Sequence, residues 1–399
     1  MNNVLVTDGR QRSTLAVVRS LGRAGINVTV GEDNFPSLAS SSRYCHNRFQ
    51  YRSALGSPKD FITDLIGELN RKSYDMILPM TDITAYLMME HFDKITGYTS
   101  LAMPAKDDYL AAIDKGRLIQ QCQKLGIPVP ETYFIDSIDE ISKYKSNFSY
   151  PVVIKPRQSK YFIDNEWVET VVRYANNFSE LLSIMKKWNS SLPYPMIQER
   201  ILGPGAGAFL LFCHGQPRAI FFHRRIREKP PSGGVSVLRE SMPDNGLMKD
   251  YSCRLLKALN WHGVAMVEFK YDNRDNLPKV MEINARLWGS LQLGIDSGVD
   301  FPSMLYRMVI DGDVLPIEQY KIGIKTRWLW GDFDSVLCRL TKSDKQQNLT
   351  ANAPGRIRTT FDFLKFYQRN TKYEILKLSD IGPFLYETKE WFRNIIKKN

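Results

Sequence analysis

Over the first hundred residues, short apolar runs alternate with longer segments of helical period. NVLVT reads as a buried strand, STLAVVRSLGRAG as an amphipathic helix closed by Gly25, and INVTV as a second strand. KDFITDLIGELNRK is again helical and leads into DMILPM, a further short buried strand. Strands separated by helices predict a parallel, doubly wound α/β layer. In such sheets, ligands sit at the carboxyl ends of the strands. That places Asp8, Gly9 and Arg10 at one such end, and Thr81 and Asp82 at another. Helix capping and turn chemistry account for Asp8 and Asp82 equally well. The first turn, TDGRQRS, lacks G-x-G-x-x-G, so a dinucleotide site is not indicated.

The pattern then changes. DKGRLIQQCQKLGIPVPET predicts a helix capped by Asp114 and closed by Gly126 before Pro128 and Pro130. YPVVIKP, VETVVRY, YPMIQERI, GAFLLFCHG and QPRAIFFHRRI read as strands separated by turns or one helix, which predicts antiparallel pairing. The run GPGAGA lies between two of them and is expected to be a hairpin turn. The helix LMKDYSCRLLKALNW precedes two more strands, GVAMVEFKYD and LPKVMEINAR, joined by DNRDN. WGSLQLGID and DFPSMLYRMVIDG are short helices. From about residue 313 the chain is aromatic-rich (IGIKTRWLWGDFDSV), then loop-like (SDKQQNLTANAPGR), and ends in an amphipathic helix, FLYETKEWFRNIIKKN. With Phe384, Trp391, Ile395, Ile396 and flanking lysines, that helix suits a membrane surface. Docking onto the body of the protein is the preferred expectation.

Composition adds little to the fold but narrows the function. At 399 residues, 43% hydrophobic and 24% charged, the chain can build two or three cored domains. No basic segment followed by an apolar stretch opens it, and its apolar runs are too short to span a bilayer, so a cytoplasmic location is expected. The five cysteines are scattered without C-x-x-C, and the five histidines form no H-x-x-x-H pair, so neither a disulfide framework nor a zinc site is expected. Of the net charge of +11, the segment Asp311 to Asn399 carries +5, with 16 Lys+Arg against 11 Asp+Glu. Those charges are interspersed with no basic run, which argues against nucleic acid and for sites that take anionic small molecules.

Candidate chemistry is concentrated in VMEINARLWGS. Side chains alternate across a strand, so Glu282, Asn284 and Arg286 share one face while Met281, Ile283 and Ala285 share the other. The preceding strand aims Met266, Glu268 and Lys270 to one side. If the polar faces align, Glu268 and Glu282 converge, and a cation between them relieves their repulsion. Oxygen ligands with open positions suit Mg²⁺, and Arg286 would meet negative charge brought by a substrate. Lys155 ends the apolar strand PVVIK, where an ammonium needs a phosphate or carboxylate partner. Gln198, Glu199 and Ile201 stand at a strand end, where main-chain groups and a carboxylate can read the edge of an adenine ring. Ser232, Gly233 and Gly234, near Arg224, Arg225, Arg227 and Arg239, form a flexible stretch suited to a lid over anionic ligands.

In this order, DKGRL with Lys115, GIPVPET, YPVVIKP with Lys155, IQERILG, VAMVEF with Glu268 and MEINARLWGS resemble the ATP-grasp superfamily of carboxylate–amine ligases, nearest the carbamoyl-phosphate synthetase large-subunit-like group. The resemblance spans roughly residues 1–310. It implies α/β and α+β architecture, with a doubly wound parallel-sheet pre-ATP-grasp domain (1–112) ahead of a two-lobed ATP-grasp fold with antiparallel sheets. The lobes would cover 113–190 and 191–312, followed by a basic C-terminal extension, 313–399. It further implies that Lys115 and Lys155 contact ATP phosphates, Lys155 also on the purine side, and that Gln198 to Ile201 form the adenine hinge. Glu268, Glu282 and Asn284 would hold Mg²⁺, and Arg286 would stabilise an acyl phosphate. The substrates would be a small-molecule carboxylate and an amine, with Asp82 and Arg10 helping to recognise the second of them and Arg239 serving an anionic ligand. The alternative is a non-catalytic ATP-binding scaffold whose basic C-terminal segment recruits a membrane or polymer; a homodimer stays open. Two features depart from the family. RQSKYFIDNEWVE follows Lys155 in place of a glycine- and serine-rich phosphate loop, which leaves Ser159 and Lys160 or the Ser232–Gly234 stretch to cover the phosphates. GPGAGAF also lacks the acidic residue expected for the ribose.

Overall fold

The computed structural model describes residues 2–231, 234–343, 354–366 and 369–396, so most of the expected loop SDKQQNLTANAPGR lies outside the described residues. Strands β1 (Asn3–Val6), β2 (Asn27–Glu32), β3 (Cys45–Gln50) and β4 (Met76–Leu78) form a parallel sheet ordered β3-β2-β1-β4. The apolar runs are continuous because both faces are covered. Val4 and Val6 pack with Leu15, Val17 and Val18 of the helix Arg12–Arg23. Leu5 and Ile77 pack on the other side with Phe61 and Leu65 of the helix Pro58–Arg71. Strand β3 carries no sequence signal, since CHNRFQ is a polar edge with His46, Asn47 and Arg48 exposed.

A second sheet is antiparallel, with β5 (Thr132–Tyr133), β6 (Val152–Lys155), β9 (Arg173–Ala175) and β10 (Met196–Glu199) ordered β5-β10-β6-β9. Between β6 and β9, the segment that stands in place of the family's phosphate loop is a hairpin of β7 (Lys160–Ile163) and β8 (Glu166–Glu169). Its turn residues Asp164 and Asn165 have φ of 49° and 66°, the backbone of a two-residue turn that matches strand twist. VETVVRY is therefore not one strand: it ends β8, passes through a short connection and begins β9.

The third sheet has seven strands, β11 (Gly205–Cys213), β12 (Gln216–Lys229), β13 (Val235–Ser241), β14 (Gly263–Tyr271), β15 (Pro278–Asn284), β16 (Lys325–Arg327) and β17 (Thr371–Tyr373), ordered β15-β14-β11-β12-β13-β16-β17. The expected hairpin at GPGAGA does not form. Residues 200–204 carry the chain from the second sheet into the third, and Gly205 already belongs to β11. Gly203 has a steric reason: a Cβ there would meet the Tyr271 carbonyl oxygen at 1.9 Å.

Strands β16 and β17 extend this sheet beyond β13, so the end of the chain is built into it. The helix Gly382–Ile396 docks as preferred above. The Trp391 indole stacks on Trp330 at 4.3 Å and its Nε1 donates to Asp334 at 2.9 Å. Among the described residues, no helix is long and apolar enough to cross a membrane.

Glu387 on the same helix accepts a hydrogen bond from Trp328 Nε1 at 2.6 Å, and burial pushes its carboxyl up from 4.5 to about 7. The folded protein therefore holds this proton more tightly than the unfolded chain does. The resulting stabilisation is complete below pH 4.5 and is lost as pH rises through about 7. Discounted for partial exposure, the loss is about 2 kcal/mol. Urea midpoints measured across that interval should fall as pH rises, and the fall should flatten in Glu387→Gln, whose amide oxygen still accepts from the indole.

Candidate active site

Pairing of β14 with β15 sets the centre of the site. The register puts Glu268 opposite Glu282 and Met266 opposite Asn284, so one sheet face presents two carboxylates and an amide together. Arg225, from β12, donates Nη2 to Glu268 Oε2 at 2.7 Å. Lys115, at the start of the helix Lys115–Lys124, lies with Nζ 3.4 Å from Glu282 Oε2, and Asp114 caps that helix through the Gly116 and Arg117 amides. Lys155 is 8% exposed and donates Nζ to the Met281 carbonyl at 3.1 Å.

Electrostatics separate the two carboxylates. Burial raises Glu268 above the ordinary carboxylate range, with Glu282 adding to the effect and Arg225 opposing it. Burial also works to raise Glu282, but Lys115 and Lys155 outweigh it and hold the group below that range. Burial depresses Lys155, and Glu282 opposes this. Converging oxygen donors beside two ammoniums make a site suited to a hard divalent cation together with phosphate oxygens.

Arg286 closes one side. Its Nε and Nη2 bind Asp82 at 2.7 and 3.1 Å, tying the end of the large sheet to the first. Asp82 opens the helix Asp82–Glu90, which Thr81 and Thr84 cap reciprocally. Asp8 holds that start from below. Its buried carboxylate accepts from Thr7 and Thr84 at 2.6 Å each, and from the Thr81 hydroxyl and the Met80 amide at 3.2 Å each. Asp8 is thus a positioning residue for Asp82.

The carboxylate wall lies between two cavities. One, of about 270 Å³, runs from Tyr86 and Trp167 to Lys115, Ser159 and Lys160, and shares Asp82, Glu282, Asn284 and Arg286 with the other. The β7–β8 hairpin roofs it, anchored by Trp167 Nε1 on the Ala54 carbonyl at 3.0 Å and by the Trp167 ring against Tyr86. The larger cavity, of about 390 Å³, is bounded by Glu268, Glu282, Arg12, Arg239, His223 and Trp288. Sequence reasoning missed Arg12, His223 and Glu374. The Glu374 carboxylate is buried and paired with Arg12 at 2.5 Å and Arg239 at 2.7 Å, while the Arg12 guanidinium lies 3.9 Å over the Trp328 ring. His223 Nε2 meets Ser290 Oγ at 2.7 Å, whereas His223 Nδ1 and Trp288 Nε1 are buried without a hydrogen-bond partner among the described residues. Histidine on the apolar strand AIFFH was the available signal for His223. Nothing local marks Glu374.

The other expected residues fall as follows. Gln198 is buried and donates Nε2 to Thr132 Oγ1 at 2.9 Å. Glu199 accepts from the Glu131 amide at 3.0 Å and pairs with Arg274 at 2.5 Å and Lys279 at 3.4 Å, so its side chain is already engaged. Ile201 is buried, and its carbonyl accepts from Lys270 Nζ at 2.9 Å. Ser232 and Gly233 lie outside the described residues, and Gly234 lines the larger cavity. Arg10 is not part of the cluster. It pairs with Asp33 at 3.0 Å in a separate pocket that also holds Arg52 and Asp64, because β2, not β1, presents its partner.

A sequence profile of the family described as "ATP-grasp in the biosynthetic pathway with Ter operon" matches residues 213–330. The chain is 25% identical over 225 residues to the carbamoyl phosphate synthase large chain of Pyrococcus furiosus, a match that takes in 54% of this chain and 20% of that protein's length. Among solved structures, a biotin carboxylase from Campylobacter jejuni in complex with β-γ-ATP has a TM-score of 0.64 at 15% identity, over 81% of this chain and 74% of that one. An L-amino acid ligase from Bacillus licheniformis has a TM-score of 0.59 at 15% identity, over 78% of this chain and 74% of that one. These likenesses give the fold.

Proposed function

We propose that this chain, a member of the ATP-grasp superfamily, is an ATP-dependent ligase that activates a substrate carboxylate as an acyl phosphate for attack by an amine. The observation that carries the reading is Glu268 opposite Glu282 with Asn284 beside them, flanked by Lys115 and Lys155 and continued by Arg286. Those three oxygen-bearing side chains fit Mg²⁺, which would neutralise phosphate charge when bound. Lys115 and Lys155 offset the charge of the transferring phosphoryl group, and the β7–β8 hairpin with Ser159 and Lys160 covers it. The main chain from Gln198 to Ile201 reads the adenine edge, since the side chains there are committed elsewhere.

In the first step a carboxylate oxygen bonds to the γ-phosphorus, and the bond to the bridging oxygen breaks to release ADP. In the second the amine nitrogen bonds to the acyl carbon, inorganic phosphate leaves, and the nitrogen gives up a proton. Arg286, freed from or shared with Asp82, faces the acyl phosphate. Arg12 and Arg239, with the unpartnered donors in the larger cavity, favour a substrate that carries an anionic group besides the one activated.

The test is ADP and phosphate release over a panel of amino acids, peptides, uronic acids and amino sugars, with product masses read in parallel. A pair that stimulates release and yields a mass equal to the two substrates less water supports the ligase. The reading fails if no pair does so and Glu282→Ala leaves nucleotide binding unchanged.

A further inference from the structure

We propose that Cys213, His214 and His262 form a second metal site, thiolate-containing and suited to a borderline divalent ion such as Zn²⁺, at the end of the large sheet remote from the ATP site. One ligand atom from each of these residues lies within 4.8 Å of the other two. Strand β11 separates this cluster from the carboxylate wall. Gly207 pairs with Glu268, whereas Cys213 lies six residues further on, about 20 Å along the strand.

Local backbone explains the convergence. The β11–β12 connection turns at His214 and Gly215, with φ of 44° and 77°, where His214 lies against His262. His262 stands just before Gly263, which pairs with Phe212. The two imidazoles lie face to face, centroids 4.3 Å apart and planes 24° apart. His262 Nδ1 receives only a long bond, from the His214 amide at 3.3 Å, which a metal at that nitrogen would replace. The Cys213 side chain is buried and its thiol faces the Gly312 carbonyl at 3.6 Å. Asp313, held by Arg218 through two bonds of 2.6 Å, lies beside the Cys213 thiol.

Binding requires the two rings to unstack: tetrahedral bonds of about 2.0–2.3 Å place ligand atoms roughly 3.3–3.7 Å apart, so the cluster must contract by about 1 Å and the exposed His214 ring must rotate until its in-plane lone pair meets that of His262. One thiolate and two imidazoles select zinc or cobalt, not magnesium, which distinguishes this site from the oxygen set of Glu268, Glu282 and Asn284. No zinc site was expected from the sequence, because the spacing sought was local, whereas His262 is 48 residues from His214.

The experiment is titration of the full-length, reduced protein with Co²⁺ in saturating Mg²⁺, followed by absorption. A sulfur-to-cobalt charge-transfer band in the near ultraviolet should rise to one equivalent and be displaced by Zn²⁺. Cys213→Ser should abolish the band, and His262→Ala should weaken binding by more than about 100-fold, beyond the usual loss for an outer-shell change. The far-ultraviolet dichroism of each variant in chelator checks folding, and His214→Ala, at an exposed position, supplies a third reading should Cys213→Ser not fold. Absence of the band in the unmodified protein, its persistence in Cys213→Ser, or full affinity in both histidine variants overturns the site.

Discussion

Glu282→Ala should lower the rate of ADP release by about three orders of magnitude, the scale of removing one preorganised charge-stabilising group from a phosphoryl-transfer site. Several observations set that expectation. The Glu282 carboxylate faces Glu268 across the β14–β15 ladder, takes Lys115 at 3.4 Å, and is held ionised by Lys115 and Lys155 against the effect of burial. It also borders both cavities, so whatever binds in either meets it. Alanine removes the proposed cation ligand and leaves two ammoniums without the carboxylate nearest them. Glu268, though already paired with Arg225, remains to balance part of that charge. The fold should therefore persist, with a urea midpoint close to that of the unmodified protein. Steady-state ADP release at varied Mg²⁺ is the measurement, and the apparent requirement for Mg²⁺ should rise together with the loss of rate. A variant that keeps near-normal turnover would remove the carboxylate wall from the mechanism.

The largest expected effect on stability lies elsewhere. Glu374→Gln should cost about 3–5 kcal/mol, the range for breaking a buried ion pair by removing one partner. The side chains of Arg239 and Glu374 are 0% and 2% exposed, and Arg12 reaches the same carboxylate from the first sheet's helix. Glutamine keeps the volume but takes away the carboxylate that both guanidiniums bind, leaving Asp296 and Glu387 to offset their charge from further off. The urea midpoint should fall with its slope unchanged. Because Arg12 and Arg239 border the larger cavity, KM for the carboxylate substrate should rise as well. An unchanged midpoint would show that solvent or rearrangement neutralises the arginines, and the wall would then not depend on Glu374.

How much of this was legible depended on range. Alternation in VMEINARLWGS was readable because period two is local and because a second strand with a polar face stood just upstream. The parallel sheet was readable for a related reason: doubly covered strands are continuous apolar runs. Strand β3 was not, since an edge strand with exposed His46, Asn47 and Arg48 looks like a loop. The β7–β8 hairpin had its signal in Asp164 and Asn165, but the segment was read only as a departure from the family's phosphate loop. Glycines in GPGAGA suggested a turn, whereas the fold uses Gly203 for a close approach to Tyr271 and runs the rest as strand. Asp8 was placed at a strand end but its partners Thr81 and Thr84 were not, and Glu374 and the Cys213–His262 cluster could not be read at all. Each acts on residues tens to hundreds of positions away, and only the folded chain brings them together.

The placement of β16 and β17 outside β13 has a consequence for what can be removed. In the intact sheet β16 covers the β13 edge through the pairs from Leu238 to Glu240, and β17 covers β16 in turn. A fragment ending near residue 312 would expose the amides and carbonyls of β13 that now pair with β16, a template for joining edge to edge with other copies. The closing segment thus acts as a guard against aggregation, which makes residues 313–399 a condition for obtaining the rest of the protein in dispersed form.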